Sequence, residues 1–149
     1  MTIVSASGTL ELPAEVIFEY AADYQRMPEW VFGLHTIEPI GEPSAGVGAE
    51  FRGTGKIGPV AMTGTSRITE WELCRRFTES LVTNNGIVAS ATVATTAMGS
   101  ALTRIDITAD YEFPGGFAGR VLQRAVEPLL GSGIRSSERA LRRQCLRTC

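Results

Sequence analysis

Hydrophobic and polar positions alternate most clearly over residues 104–113. Ile105, Ile107, Ala109, Tyr111 and Phe113 share one parity, and charged residues and threonine occupy the positions between them. Because successive side chains of a β-strand point to opposite faces, this pattern predicts a strand with one buried and one solvated face. The buried face of such a strand needs another element to cover it.

A helical period replaces the alternation near the end of the chain. Apolar residues recur at three- and four-residue steps over residues 117–146. They predict one amphipathic helix of about 45 Å, at about 1.5 Å per residue, lying across the sheet. Pro128 removes a backbone donor from it, and Gly131 and Gly133 weaken the turn that follows, so we expect the helix to bend or loosen at its middle.

Turn residues predict the remaining elements. Residues 3–12 alternate loosely before Pro13, which opens a short helix, and a second short helix over residues 24–30 is interrupted by Pro28. Between residues 34 and 113, glycine-rich turns separate strand-like segments, which indicates an antiparallel meander. Asn85-Gly86 predicts a two-residue type I′ hairpin turn with positive φ at both positions.

Length and composition favour a single domain over residues 1–149. The chain has 149 residues, of which 44% are hydrophobic and 20% charged, values typical of a globular protein. Neither a signal peptide nor a run of about 18 apolar residues is present, so we expect a soluble, cytoplasmic protein without stable membrane insertion. The three cysteines match no disulfide framework, which agrees with a reducing compartment.

Charge is distributed unevenly along the chain. The net charge is −2, yet residues 1–50 hold eight acids and one arginine, and residues 120–149 hold seven arginines and two glutamates. Arg135, Arg139, Arg142, Arg143 and Arg147 lie opposite the apolar stripe of the predicted helix, which is typical of a solvated face. No aromatic residue interleaves with them to stack on bases, so we expect no nucleic-acid partner. The sequence leaves a homodimer open.

His35, Glu79 and Tyr111 are the candidate catalytic or ligand-orienting residues. His35, the only histidine, is a residue type common in acid–base catalysis but has no assignable orienting carboxylate, so an acid–base role and a plain surface position both stay open. Glu79 shares strand parity with Phe77 and Leu81. If it points inward, its pKa is raised and it needs a partner, whereas a bulge would turn it outward.

Two other kinds of site are not expected. Scattered carboxylates and one histidine, without a Cys-x-x-Cys motif, do not make a zinc site, and we predict neither a metal nor a cofactor. Gly53-Thr-Gly-Lys-Ile-Gly58 matches the G-x-G-x-x-G pattern. Pro59 and a strand-like run follow it in place of the helix that a dinucleotide site requires, so it predicts a hairpin.

Small residues favour an unfilled interior. The 16 glycines, together with alanines on the predicted sheet and helix, leave little side-chain volume between two large surfaces. An apolar void on the order of a few hundred Å³ is the usual form of a small-molecule site. The candidate ligand-binding residues lie on separate elements: Trp30, Phe32, Phe51, Met62, Phe77, Leu129 and Gly133.

Short motifs in a fixed order resemble a known superfamily. They are Leu12-Pro-Ala-Glu-Val-Ile-Phe-Glu-Tyr20, Pro28-Glu-Trp30 with Gly33, Gly46-Val-Gly48, Ile68-Thr-Glu-Trp71 before Arg75-Arg76-Phe77, and Thr103-Arg104-Ile105 before Pro114-Gly-Gly. Across the whole chain the sequence resembles the START/Bet v 1-like helix-grip superfamily, also described as polyketide cyclase/dehydrase and lipid transport proteins. The resemblance implies an α+β fold. A seven-stranded curved antiparallel sheet wraps around a long C-terminal helix, two short helices follow strand 1, and a deep hydrophobic cavity lies inside.

Three functions stay open on this basis. The first is binding of a hydrophobic or aromatic small molecule, lipid-like or polyketide-like, between the sheet and the C-terminal helix. Its entry would lie near Trp30, His35 and Pro128. The second, implied by the resemblance, is a polyketide cyclase or dehydratase that uses the same cavity and one acid–base group. The third is a protein-interaction module without a ligand.

Overall fold

The computed structural model describes residues 1–149, and its elements follow in the predicted order. One helix, α1, precedes a short 3₁₀ helix, and a second helix, α2, ends the chain. The bounds are β1 (Thr2–Leu10), α1 (Ala14–Ala22), the 3₁₀ helix (Tyr24–Glu29), β2 (Leu34–Pro39), β3 (Glu50–Ile57), β4 (Val60–Glu72), β5 (Arg76–Thr83), β6 (Val88–Gly99), β7 (Leu102–Glu112) and α2 (Gly116–Thr148).

All seven strands form one curved antiparallel sheet in the order β1-β7-β6-β5-β4-β3-β2. Strands β2 to β7 form a meander of hairpins. The last strand, β7, pairs with β1, so β1 and β2 form the two edges of the sheet. The α+β helix-grip architecture is therefore confirmed. On β7 the predicted alternation holds, since Ile105, Ile107 and Ala109 are buried and Arg104 and Thr108 are exposed.

The first helix closes one end of the concave face. Pro13 precedes it in an extended conformation, and Glu15 lies in its first turn, where a negative charge is favourable. Its buried side includes Phe18, whose ring meets Trp71 edge-on at 5.2 Å and Phe77 at 5.9 Å between centroids. Phe18 and Phe77 belong to a core of 19 buried residues against which Trp71 packs, so the end of the sheet under α1 is filled.

The C-terminal helix is continuous over 33 residues, through Pro128, Gly131 and Gly133. Pro128 lies on its exposed side, where the missing hydrogen bond faces solvent. The buried stripe includes Val126, Leu130, Ile134 and Leu141, as the helical period predicts. Neither α1 nor α2 is both long enough and apolar enough to cross a membrane.

The type I′ turn predicted at Asn85-Gly86 is wrong. Gly86 has a φ of +93°, but Asn85 is absent from the residues with positive φ. The backbone N–H of Gly86 donates to the carbonyl of Thr83 at 3.1 Å, and the N–H of Thr83 donates to the carbonyl of Ile87 at 3.0 Å. The loop between Thr83 and Ile87 therefore holds three residues. The hydroxyl of Thr83 also accepts the N–H of Ile87 at 3.0 Å, which stabilises the longer loop. Such loops pair a type I turn with a left-handed residue, here glycine.

Candidate functional site

A cavity of about 220 Å³ opens between the concave face of the sheet and the segment over residues 27–37. Apolar side chains dominate its wall, and Met27, Val31, Leu34 and Ile37 supply one side of it. None of the residues that line it belongs to α2, although we expected the cavity to lie directly beneath that helix. The helix instead packs against the wall from outside.

The strand register explains why this part of the interior is unfilled. Ala109, Ala91 and Glu79 are opposite one another on β7, β6 and β5, and in the next row Ala89 lies between Tyr111 and Leu81. These residues all line the cavity. Cross-strand neighbours have Cβ atoms about 5 Å apart, so alanines in adjacent rows leave the space above them without side-chain atoms.

Glu79 points into this space. It is opposite Ile68 on β4 and Ala91 on β6, and it lines the cavity. Burial raises the pKa of its carboxyl above the ordinary value of 4.5, and a hydrogen bond from Ser66 offsets part of that rise. No cation forms a salt bridge with it. Burial of an unpaired carboxyl favours its neutral form, so the apolar surroundings of Glu79 shift its protonation toward the acid.

Tyr111 borders the same cavity at a distance from Glu79. Burial raises the pKa of its phenol, and the neighbouring charge of Asp110 adds to the rise. Two inter-strand steps of about 4.8 Å and two residues of about 3.4 Å along the strand place the two Cα atoms about 12 Å apart. Glu79 and Tyr111 therefore border separate parts of the cavity.

The structure places His35 on the surface, away from the cavity. The register of β2 against β3 shifts between Leu34 and Thr36, so His35 lies at a bulge, and it is exposed. Leu34 lines the cavity and His35 does not. The structure therefore does not bring His35 together with Glu79 and Tyr111.

The predicted ligand-binding residues divide into three groups. Phe32 and Met62 line the cavity. Trp30, Phe51 and Phe77 are buried in the main core and do not line it. Leu129 and Gly133, on α2, do not line the cavity: Leu129 lies next to Gly58, and Gly133 lies next to the lining residue Phe32.

Sequence reasoning did not single out several residues of the cavity wall. Val31, Leu34 and Ile37 supply much of it, and Ser66 supplies the partner of Glu79. The sequence did contain one signal for Ser66: it lies two residues before Ile68 on the same strand, so both side chains point to the same face of the sheet. The loop before β2 offered none, because its packing on the sheet is a long-range contact.

A second, larger groove of about 490 Å³ lies along β1 and α2 and has a different chemistry. Of its ten lining residues only Ala6 is hydrophobic. Arg104 pairs with Asp106 at 3.1 Å and Arg142 with Glu138 at 2.7 Å, while Arg135 and Arg139 form no salt bridge. This groove is unsuited to an apolar ligand, so the cavity around Glu79 is the candidate small-molecule site.

Comparison with known proteins agrees with this architecture. The family model described as polyketide cyclase / dehydrase and lipid transport matches residues 1–145. The chain belongs to this family. No curated protein matches the sequence.

Solved structures show how widely the fold of this family member is shared. The Zhui aromatase/cyclase from Streptomyces sp. R1128 is 15% identical, with a TM-score of 0.79 over 98% of this chain and 94% of that one. A START superfamily protein from Mycobacterium smegmatis is 13% identical, with a TM-score of 0.79 over 99% of both chains. A conserved protein from Geobacillus kaustophilus is 15% identical, with a TM-score of 0.78 over 99% of this chain and 97% of that one. At such identities the shared property is the fold.

In this polyketide cyclase/dehydrase family member, Gly133→Ala is expected to disturb one wall of the cavity. A Cβ at Gly133 would lie 2.3 Å from Cδ2 of Phe32, whose backbone N–H donates to Ser137 Oγ at 2.8 Å. The Phe32 ring must move, and we expect a loss of about 1–3 kcal/mol in the free energy of unfolding. Urea denaturation measures the loss.

Gly131→Ala is the matched control, because a Cβ there meets only Arg135 Nη1, at 3.5 Å. It is expected to keep or raise the stability, by up to about 1 kcal/mol, through its better helix propensity. Equal stabilities of the two alanine variants would show that Phe32 does not rest on Gly133.

Glu79→Gln is expected to change how stability depends on pH. The folded-state pKa of Glu79 is raised above 4.5. The contribution of Glu79 to the free energy of unfolding is therefore fully present below the unfolded-state pKa and is lost as pH rises through the folded-state pKa. The wild type should therefore lose stability relative to Glu79→Gln above about pH 4.5, by at most about 1.4 kcal/mol per pH unit. Urea denaturation at a series of pH values measures the difference, and parallel profiles would contradict it.

Proposed function

We propose that the protein binds a small apolar or aromatic molecule in the cavity around Glu79. The observation that carries the proposal is the unfilled space above Ala89, Ala91 and Ala109 on the concave face of the sheet. Apolar ligand surface removed from water there contributes roughly 25 cal/mol per Å². The polar groups of Glu79, Ser66 and Tyr111 supply orientation, as in most small-molecule sites.

Thermal unfolding with a graded panel tests this proposal. The panel runs from benzene and naphthalene to anthracene, with short-chain and long-chain lipids alongside. Binding to the folded state alone raises stability, by about 2.7 kcal/mol when the ligand concentration is 100 times Kd. We expect a rise in Tm for at least the one- and two-ring members. No shift with any member of the panel would contradict the proposal.

Glu79 supports a second candidate function, acid-catalysed dehydration or cyclisation of a carbonyl compound in the same cavity. A general acid must still hold its proton at the working pH, and burial raises the pKa of Glu79 in that direction. In a dehydration, the Glu79 carboxyl would protonate the hydroxyl of a β-hydroxy ketone as the C–O bond breaks. The resulting carboxylate would then accept the proton of the carbon next to the carbonyl, which gives the enone and water and regenerates the acid. Positioning in the cavity would supply the rest of the acceleration.

The probe 4-hydroxy-4-phenylbutan-2-one separates binding from catalysis, because loss of water gives a conjugated enone with a near-ultraviolet absorbance. Wild-type protein that forms the enone, together with a Glu79→Gln variant that binds the probe without turnover, would support the enzyme. Binding without turnover in the wild type, or turnover unchanged in Glu79→Gln, would contradict it. Tyr111→Phe and the surface variant His35→Ala complete the set.

A further inference from the structure

We propose that the cavity selects uncharged ligands of one or two rings that carry a carbonyl or a similar neutral acceptor, to which the carboxyl group of Glu79 donates a hydrogen bond. This selectivity rests on the proposed binding function and adds two restrictions to it, one on ligand size and one on ligand polarity.

The size restriction follows from the volume. An engineered apolar cavity of about 150 Å³ accepts benzene, and drug-sized ligands occupy about 300–1,000 Å³. At about 220 Å³, this cavity lies between the two, which suits a bicyclic molecule or a single substituted ring. A long acyl chain or a tricyclic compound requires the wall formed by Phe32 to move.

The polarity restriction follows from what faces Glu79. Its strand neighbours are Ile68 on β4 and Ala91 on β6, and the hydroxyl of Ser66 is the polar group that lowers its pKa. The opposite wall, residues 27–37, places only apolar residues and Gly33 on the cavity. The other titratable residues that line the cavity are Tyr111 and Lys56, and Lys56 is an exposed residue.

A neutral carboxyl group offers one O–H donor and keeps acceptor capacity on its other oxygen. Since Ser66 lowers the pKa of Glu79 and thus acts as a donor toward it, the O–H of the neutral carboxyl is free for a ligand atom in the space above Ala91. A carbonyl oxygen accepts that hydrogen bond. A ligand carboxylate would carry a negative charge into the apolar space beside Glu79, where the only lining cation is the exposed Lys56, and burial of such a charge is unfavourable.

Three probes of one shape test the inference: indane, 1-indanone and indane-1-carboxylate, titrated by calorimetry over a pH series that starts at about pH 4.5. We expect 1-indanone to bind about fivefold more tightly than indane, the net value of one neutral hydrogen bond. The carboxylate should bind more than about tenfold more weakly than indane.

Substitutions and pH assign the effect to Glu79. In Glu79→Leu the preference for 1-indanone over indane should vanish while indane still binds, and in Glu79→Gln the amide N–H should preserve it. As pH rises through the raised pKa of Glu79, the wild type should lose the preference. Glu79→Gln, which cannot ionise there, should keep it at every pH.

Indane that binds as tightly as 1-indanone overturns the selectivity and leaves the proposed binding function standing. A preference that survives in Glu79→Leu overturns the role of Glu79. Failure of all three probes to bind overturns both the selectivity and the binding function. Tight binding of the carboxylate contradicts the polarity restriction alone.

Discussion

Ala91→Leu is expected to abolish the binding of one- and two-ring probes while the protein stays folded. Ala91 lines the cavity beside Glu79, and three added heavy atoms would occupy the space that the ligand needs. Apolar atoms placed in an existing void restore packing contacts, so the free energy of unfolding should not fall. Naphthalene titration should show a loss of affinity of about 100-fold or more, which corresponds to about 2.7 kcal/mol of binding free energy.

Ala61→Leu is the matched control, since Ala61 is exposed on β4. It adds the same atoms outside the cavity and should leave naphthalene affinity unchanged. If Ala91→Leu bound naphthalene as the wild type does, the cavity beside Glu79 would not be the binding site.

Phe77→Ala is expected to lower the free energy of unfolding by about 3–5 kcal/mol. Phe77 is 2% exposed, and its ring centroid lies 5.9 Å from that of Phe18 and 6.1 Å from that of Trp71. The variant loses these contacts and leaves a hole in the filled end of the concave face. Urea denaturation with a fixed m-value measures the loss.

Val82→Ala, on the same strand, is the control. Val82 is 54% exposed, so its truncation should cost within about 0.5 kcal/mol. If Phe77→Ala cost no more than Val82→Ala and instead removed ligand binding, Phe77 would line a ligand site and the division between core and cavity would be wrong.

The architecture was predictable because its signals are local. Alternation along residues 104–113 and the helical period of residues 117–146 each depend on neighbouring residues, and each predicted its element correctly. The order of the motifs then added the fold family. The turn after β5 was less predictable, since the choice between two and three loop residues depends on the bond from Ile87 to the Thr83 hydroxyl.

The site was predictable only in part, because parity assigns a residue to a face and not to a position on that face. Phe77, Glu79 and Leu81 share one parity on β5. Helix α1 covers Phe77 with the ring of Phe18, whereas Glu79 and Leu81 border the cavity. Which of them meets empty space depends on how residues 27–37 pack, a contact between distant parts of the chain. The bulge beside His35 likewise changes the parity that its strand suggests.

The central claim is that the protein keeps an apolar space above Ala89, Ala91 and Ala109. A crystal structure under xenon pressure tests this claim most directly. Xenon enters apolar cavities of this kind without needing a specific hydrogen bond. We expect xenon density bordered by these three alanines and by Met62 and Leu34. An interior without xenon, in which Met62, Leu34 or Phe32 fills the space instead, would contradict the account.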